Sequence, residues 1–191
     1  MPNTKPKSGG NSVRIVAGHL RGSRLHVPDI DGLRPSPDRV RETLFNWLAP
    51  WIAGMRCLDL YAGTGALGIE ALSRGAGECV FVERDRTLWR LLQDNLARLH
   101  ITNGRAIHRD AADFLAATPQ AFDLVFLDPP FPANLWSASA QALEERGWLC
   151  DAAMIYVESP QGIVPAVPAR WIPHREGHAG AVRYALYRRI V

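Results

Sequence analysis

The sequence predicts an α/β fold built on a mostly parallel sheet of seven strands, with helices on both faces. From Met55 onward, apolar strand-like segments alternate with helix-like segments, which is typical of parallel strands covered by helices. Residues 169–191 contain two strand-like runs joined by a Gly-rich turn, and so short a connection permits only an antiparallel pair. Residues 13–50 predict a hairpin and a helix that extend the sheet domain at its N-terminal side.

The N-terminal elements follow from composition and local signals. Residues 1–12 are mainly Pro, Gly, Ser, Asn and Lys, which predicts a disordered basic tail. Two β-like runs, residues 13–17 and 24–27, surround Gly22 and predict a hairpin. The stretch "SPDRVRETLFNWL" predicts a helix with Ser36 as its N-cap and Pro37 at its first position. We therefore divide the chain into a tail (1–12), an extension (13–50) and a main domain (51–191).

Four strand–loop–helix units open the main domain. Their sequences are "RCLDLYAGTGALGIEALSRGA", "ECVFVERDRTLWRLLQDNLARL", "RAIHRDAADFLAA" and "FDLVFLDPPF" with "LWSASAQALEERG". The stretch "AAMIYVES" predicts a fifth strand before the antiparallel C-terminal pair. The carboxyl ends of parallel strands meet at one edge of a sheet, and ligands bind there, so we expect the functional residues at this edge.

Length and composition exclude several classes of protein. A chain of 191 residues with 47% apolar residues suits one globular core. No apolar run approaches the length of a membrane span, and the N-terminus has no secretion signal. The three cysteines, Cys57, Cys79 and Cys150, are widely spaced and form no metal-ligand pattern, so Cys57 and Cys79 are expected to be buried hydrophobes. We expect a soluble cytoplasmic monomer without a metal.

Positive charge is concentrated in the first 50 residues. This segment has a net charge of +4 within a chain of net charge +3, so the remainder is slightly acidic. The asymmetry favours a polyanionic partner over a merely solvated basic segment. Two of the arginines, Arg39 and Arg41, are two positions apart on a predicted helix and cannot share one face, so at least one is expected to be solvated or ion-paired. The candidate phosphate contacts are Arg14, Arg21, Arg24, Arg34, Arg39 and Arg41.

A glycine loop follows the first strand of the main domain and opens a helix. Gly63, Gly65 and Gly68 have the GxGxxG spacing, which lets the backbone turn sharply at a helix N-terminus. Glu83 ends the next strand and can accept both hydroxyls of a ribose, a contact worth roughly 1.5–3 kcal/mol. These features predict an adenosine-type cofactor. The alternative is a tight turn without a ligand.

Two further acids refine this prediction. Asp59, four residues before Gly63, suits a cationic ligand with an amino group better than a pyrophosphate, which favours S-adenosylmethionine over a nicotinamide dinucleotide. Asp110 ends the third strand, where it can accept the adenine amine while the N–H of Ala111 meets a ring nitrogen. Asp110 can also cap the following helix, and both roles can hold together.

The fourth strand ends in "DPPF". Asp128 is expected beside the glycine loop, because the first and fourth strands are neighbours in a doubly wound sheet. Pro129 and Pro130 fix a rigid turn without N–H donors, and Phe131 offers an apolar face. The Asp128 carboxylate and the Pro129 carbonyl could hold the two hydrogens of an exocyclic amine, with its lone pair toward a methyl donor. Stacking on Phe131 could return about 1–3 kcal/mol to a base outside its stack.

These motifs resemble those of a known family. "DLYAGTGALGIEALSRGA" and "DPPF" resemble class I S-adenosylmethionine-dependent methyltransferases that act on amino groups, which have a Rossmann-like fold. With "RIVAGHLRGSRL" and "RPSPDRVRETLFNWL", the chain resembles bacterial 16S ribosomal RNA guanine-N2 methyltransferases of the RsmD type from about Val13 to the C-terminus. Here Ser36 stands where that family commonly has Thr. The candidate cofactor contacts are Asp59, Tyr61, Ala62, Gly63, Thr64, Gly65, Glu83, Arg84, Asp110 and Ala111.

The resemblance implies methylation of one guanine amine in 16S ribosomal RNA, within the assembled or assembling small subunit. Asp128 alone does not settle the base, because adenine-directed relatives have Asn or Asp there. One alternative is an amino methyltransferase for DNA adenine or protein glutamine. Others are a non-catalytic RNA-binding assembly factor, and an NAD oxidoreductase, which would leave "DPPF" unexplained.

Overall fold

The structure is a computed structural model that describes residues 12–28 and 37–191. Its main sheet has seven strands in the order β5-β4-β3-β6-β7-β9-β8. The pairs β3–β4, β3–β6, β4–β5 and β6–β7 are parallel, and the pairs β7–β9 and β8–β9 are antiparallel. The strands of this sheet are β3 (Arg56–Asp59), β4 (Glu78–Glu83), β5 (Gly104–His108), β6 (Phe122–Leu127), β7 (Leu149–Pro160), β8 (Trp171–Ala179) and β9 (Val182–Arg189). The predicted fold class is confirmed.

Five α-helices lie on the two faces of the sheet in the part of the chain that the structure describes. They are α1 (Asp38–Leu48), α2 (Ala66–Ser73), α3 (Arg86–Arg98), α4 (Ala111–Leu115) and α5 (Trp136–Glu145). A short 3-10 helix, Phe131–Ala133, joins β6 to α5. One hydrophobic core unites α1, α2 and α3 with one face, and a second unites α4 and α5 with the other.

The N-terminal hairpin forms as predicted, although its strands are shorter. Strands β1 (Ser12–Arg14) and β2 (Arg24–His26) pair antiparallel, with Val13 opposite Leu25. Helix α1 begins at Asp38, one residue later than expected, and Pro37 occupies the N-cap position without a side-chain cap. Residues 1–11 of the predicted tail, Arg34 and the predicted cap Ser36 lie outside the described residues, whereas Ser12, predicted to belong to the tail, is the first residue of β1.

The extension shares its core with the sheet. Leu25 in β2 and Phe45 in α1 are fully buried, and both belong to the same cluster as Phe126 and Tyr156 of the sheet. The rings of Phe45 and Phe126 are 5.9 Å apart. Full burial of one such side chain contributes about 1.5–3 kcal/mol, so the extension is held by packing as well as by the chain connection.

A buried polar junction also holds the extension to α2, and we call it the Glu70 junction. The fully buried Glu70 accepts the backbone N–H of Val16 at 2.8 Å and of Ala17 at 3.0 Å. Its oxygens also bond Arg74 Nε at 2.8 Å and lie 3.5 Å from Arg41 NH1. Each buried hydrogen bond to a charged group contributes about 1.5–3 kcal/mol.

The Glu70 junction corrects one sequence prediction. Arg41 is fully buried, donates to the Arg14 carbonyl at 2.9 Å and pairs with Asp38 and Glu70. It is therefore not a phosphate contact, whereas Arg39 is exposed on the same helix. The prediction that Arg39 and Arg41 cannot share one face is confirmed.

The cysteine prediction is confirmed for Cys57 and Cys79, which are both buried in the core. Burial raises the pKa of both thiols above the ordinary value, so they remain protonated and apolar. Within residues 12–28 and 37–191, no helix has the length and apolarity needed to span a membrane.

Candidate active site at the carboxyl edge of the sheet

Four adjacent strands end in carboxylates at one edge of the sheet. Asp59 ends β3 and Glu83 ends β4, Asp128 follows β6, and Glu158 lies near the end of β7. Because β4, β3, β6 and β7 are neighbours and mutually parallel, all four carboxylates gather at the same edge. Asp59, Glu83 and Glu158 are 2%, 8% and 4% exposed, so this concentration of negative charge is largely shielded from water.

The glycine loop adopts the sharp turn predicted from its spacing. Gly63 and Gly65 have φ angles of +53° and +78°, in the left-handed region that favours glycine. A Cβ at Gly65 would also lie 2.4 Å from a methyl group of Leu92. Gly68 serves packing, since a Cβ there would lie 2.2 Å from the Phe81 ring. The helix N-terminus is therefore brought close against β4.

Glu83 supports this loop directly. One oxygen accepts the N–H of Gly63 at 2.8 Å, and the other accepts the N–H of Asp85 at 2.7 Å. A carboxylate oxygen can accept more than one hydrogen bond, so the same group can hold the loop and still receive two ribose hydroxyls. Its position twenty residues after Gly63 fits the predicted cofactor contact.

Asp59 is a buried carboxylate beneath the start of α2. Its Oδ2 accepts the N–H of Gly68 at 3.0 Å. Burial raises its pKa from 3.8 to about 7; the hydrogen bond from Gly68 opposes this shift, and the charge of Glu83 adds to it. A nearby cation would favour the ionised form of Asp59.

The remaining predicted cofactor residues, on the loop and after β4, differ in burial and in their hydrogen-bond partners. Ala62 and Thr64 are buried within the loop, and the Ala62 N–H donates to Val82 at 3.0 Å. The Tyr61 hydroxyl lies 2.7 Å from Ser139 Oγ in α5, so it braces the loop against that helix. Arg84 is exposed, and its carbonyl accepts a hydrogen bond from His108 Nε2 at 3.0 Å.

Asp110 performs the capping role that the sequence allowed. Its side chain accepts the N–H of Ala112 at 2.8 Å at the start of α4. Ala111 is buried beside it. Asp110 follows β5, in which His108 is opposite Glu83, so it lies at the same edge, and its partial exposure leaves it accessible to a ligand.

The turn after β6 is tied to its neighbours by aromatic contacts. Pro129 is buried, Pro130 is exposed, and Asp128 and Phe131 are partly buried. The Pro130 carbonyl accepts the N–H of Ala133 at 2.9 Å within the 3-10 turn. The Phe131 ring lies 5.9 Å from the Trp136 ring. The indole N–H of Trp136 donates to the backbone carbonyl at the end of β7 at 2.7 Å.

The electrostatics of this edge suit a cationic ligand. The pKa of Asp128 is raised well above its usual range by burial and by the charges of Glu158 and Asp59. A pyrophosphate would add negative charge to this cluster, whereas a sulfonium and an ammonium would stabilise its ionised forms. The residues present therefore fit S-adenosylmethionine and disfavour a dinucleotide.

Sequence reasoning missed Glu158 and Glu70. Glu158 ends an apolar run in "IYVES", as Glu83 does in "VFVE", and that parallel was an available signal. Glu70 was the single charged residue in the apolar helix "ALGIEALS". A lone carboxylate there indicates either a functional group or a buried structural partner, and the structure shows the second.

The described arginines of the extension, Arg41 apart, face solvent. Arg14, Arg21 and Arg24 are exposed, and Arg24 NH1 donates to Ser12 Oγ at 3.0 Å. Arg14 and Arg21 line a groove of about 370 Å³ between the hairpin and α1, which Arg74 joins from the end of α2. Glu42 and Asn46 of α1 also line this groove. A similar cavity of about 380 Å³ at the amino edge of the sheet includes none of the predicted site residues.

Comparison with known proteins gives concordant matches. The family model described as conserved hypothetical protein 95 matches residues 13–188. Ribosomal RNA small subunit methyltransferase D of Escherichia coli is 50% identical over 183 residues, which cover 95% of this chain and 92% of the relative. The protein of the same name from Haemophilus influenzae is 44% identical, covering 97% and 96% of the two chains. The solved structure of yhhF from Escherichia coli superposes with a TM-score of 0.88 at 47% identity, covering 95% of this chain and 99% of that one.

Proposed function

The chain belongs to the conserved hypothetical protein 95 family, the RsmD family of ribosomal RNA methyltransferases, and from this premise we propose its substrate. It is a ribosomal RNA methyltransferase that uses S-adenosylmethionine. The proposed reaction is methylation of the exocyclic N2 amine of one guanine in 16S ribosomal RNA, within the assembled or assembling small subunit. The observation that best supports transfer to an exocyclic amine is the position of Asp128, between the buried carboxylates Asp59 and Glu158 and after a strand that adjoins the glycine loop; the choice of guanine rests on the likeness to the RsmD family.

Residues of the glycine loop and of the neighbouring strand ends would hold the methyl donor. Glu83 would receive the ribose hydroxyls, and Asp59 would face the amino group. Asp110 and the N–H of Ala111 would meet the adenine ring. When bound, S-adenosylmethionine supplies a methyl group activated by a sulfonium.

The turn after β6 would orient the acceptor amine. The amine of guanine is a weak nucleophile, because its lone pair is delocalised into the ring. The Asp128 carboxylate and the Pro129 carbonyl each accept one amine hydrogen, which directs the lone pair at the methyl group and favours the developing positive charge. The new carbon–nitrogen bond would form as the carbon–sulfur bond of the donor breaks to leave a neutral thioether, and Asp128 would take up the proton that the amine loses, a role that its raised pKa suits. Phe131 stacks on the base.

The extension would position the RNA. Arg14, Arg21, Arg24 and Arg39 are exposed cations that can contact phosphates without reading sequence. The groove beneath Arg14 and Arg21 offers a concave seat for such a backbone.

Transfer of labelled methyl groups to small subunits that lack the modification tests this proposal. The purified chain is incubated with labelled S-adenosylmethionine and subunits, and the RNA is digested to nucleosides. N2-methylguanosine is the expected product, whereas N6-methyladenosine, or no labelled nucleoside, would overturn it. Parallel reactions with protein-free RNA identify the form of substrate, and we expect incorporation into subunits to exceed that into free RNA.

A further inference from the structure

The end of β7 places a second carboxylate beside Asp128. Strands β6 and β7 run parallel with Leu127 opposite Val157, so Asp128 and Glu158 follow side by side. The pKa of Tyr156 is raised well above its usual value by burial and by the charges of Glu158 and Asp128. This agrees with the register, since both carboxylates lie close to the same tyrosine. The two carboxylates therefore face a common space at the carboxyl edge.

Glu158 is held in a defined orientation. The Tyr156 hydroxyl donates to its Oε2 at 2.7 Å, and the Trp136 indole donates to its backbone carbonyl at 2.7 Å. Tyr184 is opposite Glu158 in the β7–β9 register, and its ring stacks on Trp47 at 5.5 Å. A carboxylate only 4% exposed at this edge is costly for folding, and the Tyr156 bond fixes its direction, as a recognition group requires.

The Watson–Crick edges of the two purines present opposite groups to such a carboxylate. In guanine, the N2 amine is adjacent to an N1–H donor, so a base whose amine is held by one acceptor presents N1–H to a second. In adenine, the position next to the amine is a bare N1 acceptor, which a carboxylate repels. A site built to accept an N–H can reject an analogue that lacks it by factors of about 10⁴–10⁵.

We infer that Glu158 selects guanine, by accepting its N1–H while Asp128 and Pro129 hold the N2 amine. This inference rests on the proposed function and adds the residue that distinguishes guanine from other amino-bearing bases. Tyr156 acts as a positioning residue, because it orients the Glu158 carboxylate without contacting the base.

Substitution of 2-aminopurine for the target guanine tests the inference in the wild-type enzyme. This base keeps the C2 amine but has a bare N1 acceptor. After the target is mapped by the labelled-methyl assay, subunits are reconstituted with 2-aminopurine at that position. We expect kcat/KM to fall at least 100-fold relative to guanine. Equal methylation of the two bases would overturn the inference, even though guanine methylation itself succeeds.

The variant Glu158→Gln provides the second test. The amide keeps the shape but loses the charge, so kcat/KM for guanine is expected to fall about 10-fold. The preference for guanine over 2-aminopurine should shrink by a similar factor, because the amide N–H can face a bare N1. An unchanged preference would overturn the inference, since a purely structural role lowers both rates equally.

Two controls separate recognition from folding. Glu144→Gln alters a carboxylate of α5 that pairs with Arg189 of β9, away from the proposed base, and should leave the preference unchanged. Tyr156→Phe should weaken the preference less than Glu158→Gln does. Absence of N2-methylguanosine with the wild-type chain would instead contradict the proposed function, so the two failures are distinguishable.

Discussion

The carboxyl edge and the N-terminal hairpin hold charges of opposite sign in opposite environments. Asp59 and Glu158 are almost completely buried, whereas Arg14, Arg21 and Arg24 are exposed. A charge in a low-dielectric interior acts strongly over a few ångströms, while exposed charges act weakly, over longer range and subject to screening by salt. The edge is therefore suited to chemistry at one atom and the hairpin to attraction of a polyanion. Removal of a charge should have a different signature in each region.

The largest expected effect is at the edge. Asp128→Ala removes one acceptor of the amine hydrogens and the proposed proton acceptor, so methyl transfer should fall by about 100- to 1,000-fold. Single-turnover transfer of a labelled methyl group measures this loss. Calorimetry should show nearly unchanged affinity for S-adenosylmethionine. Retained turnover would contradict the assigned role, and Asp128→Asn, which keeps one acceptor oxygen, should lose less.

Arg41 belongs to the extension but is fully buried, so its removal should have a large effect, as expected for the buried carboxylates at the edge of the sheet. Arg41→Ala removes one of the two guanidinium groups that contact the buried Glu70, leaving Arg74 as the other, and also removes the buried bond to the Arg14 carbonyl, so the free energy of unfolding should fall by about 3 kcal/mol. Arg39→Ala on the same helix removes an exposed charge and should change it by less than about 0.5 kcal/mol. Denaturant titration of both variants makes the comparison. Equal stabilities would contradict the burial of Arg41.

The ribose contact should show an intermediate effect. Glu83→Ala removes the proposed acceptor of the ribose hydroxyls, so affinity for S-adenosylmethionine should fall about 10- to 100-fold. Calorimetry measures the dissociation constant. Glu83→Gln keeps one acceptor oxygen, so its affinity for S-adenosylmethionine should lie between those of Glu83→Ala and the wild type. Unchanged affinity in Glu83→Ala would show that the ribose assignment is wrong.

The raised pKa of Asp59 predicts that its contribution to the free energy of unfolding declines as pH rises. A carboxylate in a stabilising ion pair would show the opposite dependence. Its folded pKa of about 7 exceeds the value of 3.8 expected when unfolded, so the folded chain binds more protons between these values. The contribution of Asp59 to stability is therefore present at low pH and declines as pH rises from about 4 to 7, by at most about 1.4 kcal/mol per pH unit. Denaturant titrations of wild type and Asp59→Asn should diverge over this window. Parallel curves would contradict the shift.

The smallest effect per residue is expected in the hairpin. Replacing Arg14, Arg21 and Arg24 together by Gln should weaken subunit binding and reduce the slope of log affinity against log salt by about 2 to 3. Each single change should cost less than about 1 kcal/mol. Binding titrations over a range of salt concentrations measure the slope. An unaltered slope would exclude these residues as phosphate contacts.

Local pattern was sufficient to predict most of the fold. Alternating apolar strands and helices gave the parallel sheet, and the short turn between β8 and β9 gave the antiparallel pair. The ends of strands were equally informative, because carboxylates that follow apolar runs must meet at one edge. This is why Asp59, Glu83 and Asp128 could be predicted to lie together.

Partners distant in sequence could not be predicted. Arg41 and Glu70 are 29 residues apart, so although the spacing of Arg41 from Leu44, Phe45 and Leu48 places it on the apolar face of its helix, nothing local identifies the partner of its guanidinium. Charge counts assign such a residue to the surface, because buried arginines are rare. Glu158 shows both parts of this limit: its place at the end of an apolar run was visible in the sequence, whereas its proximity to Asp128 depends on the pairing of β6 with β7.

The Glu70 junction determines how this protein can be cut or recombined. Deletion of residues 1–50 would leave Glu70 with Arg74 but without the two peptide groups and the Arg41 guanidinium of the extension, and would expose the apolar surface that Leu25 and Phe45 cover. Such a truncation should aggregate rather than yield a trimmed enzyme. A chimera that replaces the extension with another N-terminal segment must therefore import a matching α2 or replace Glu70 by an apolar residue, because the extension and α2 share one buried polar junction.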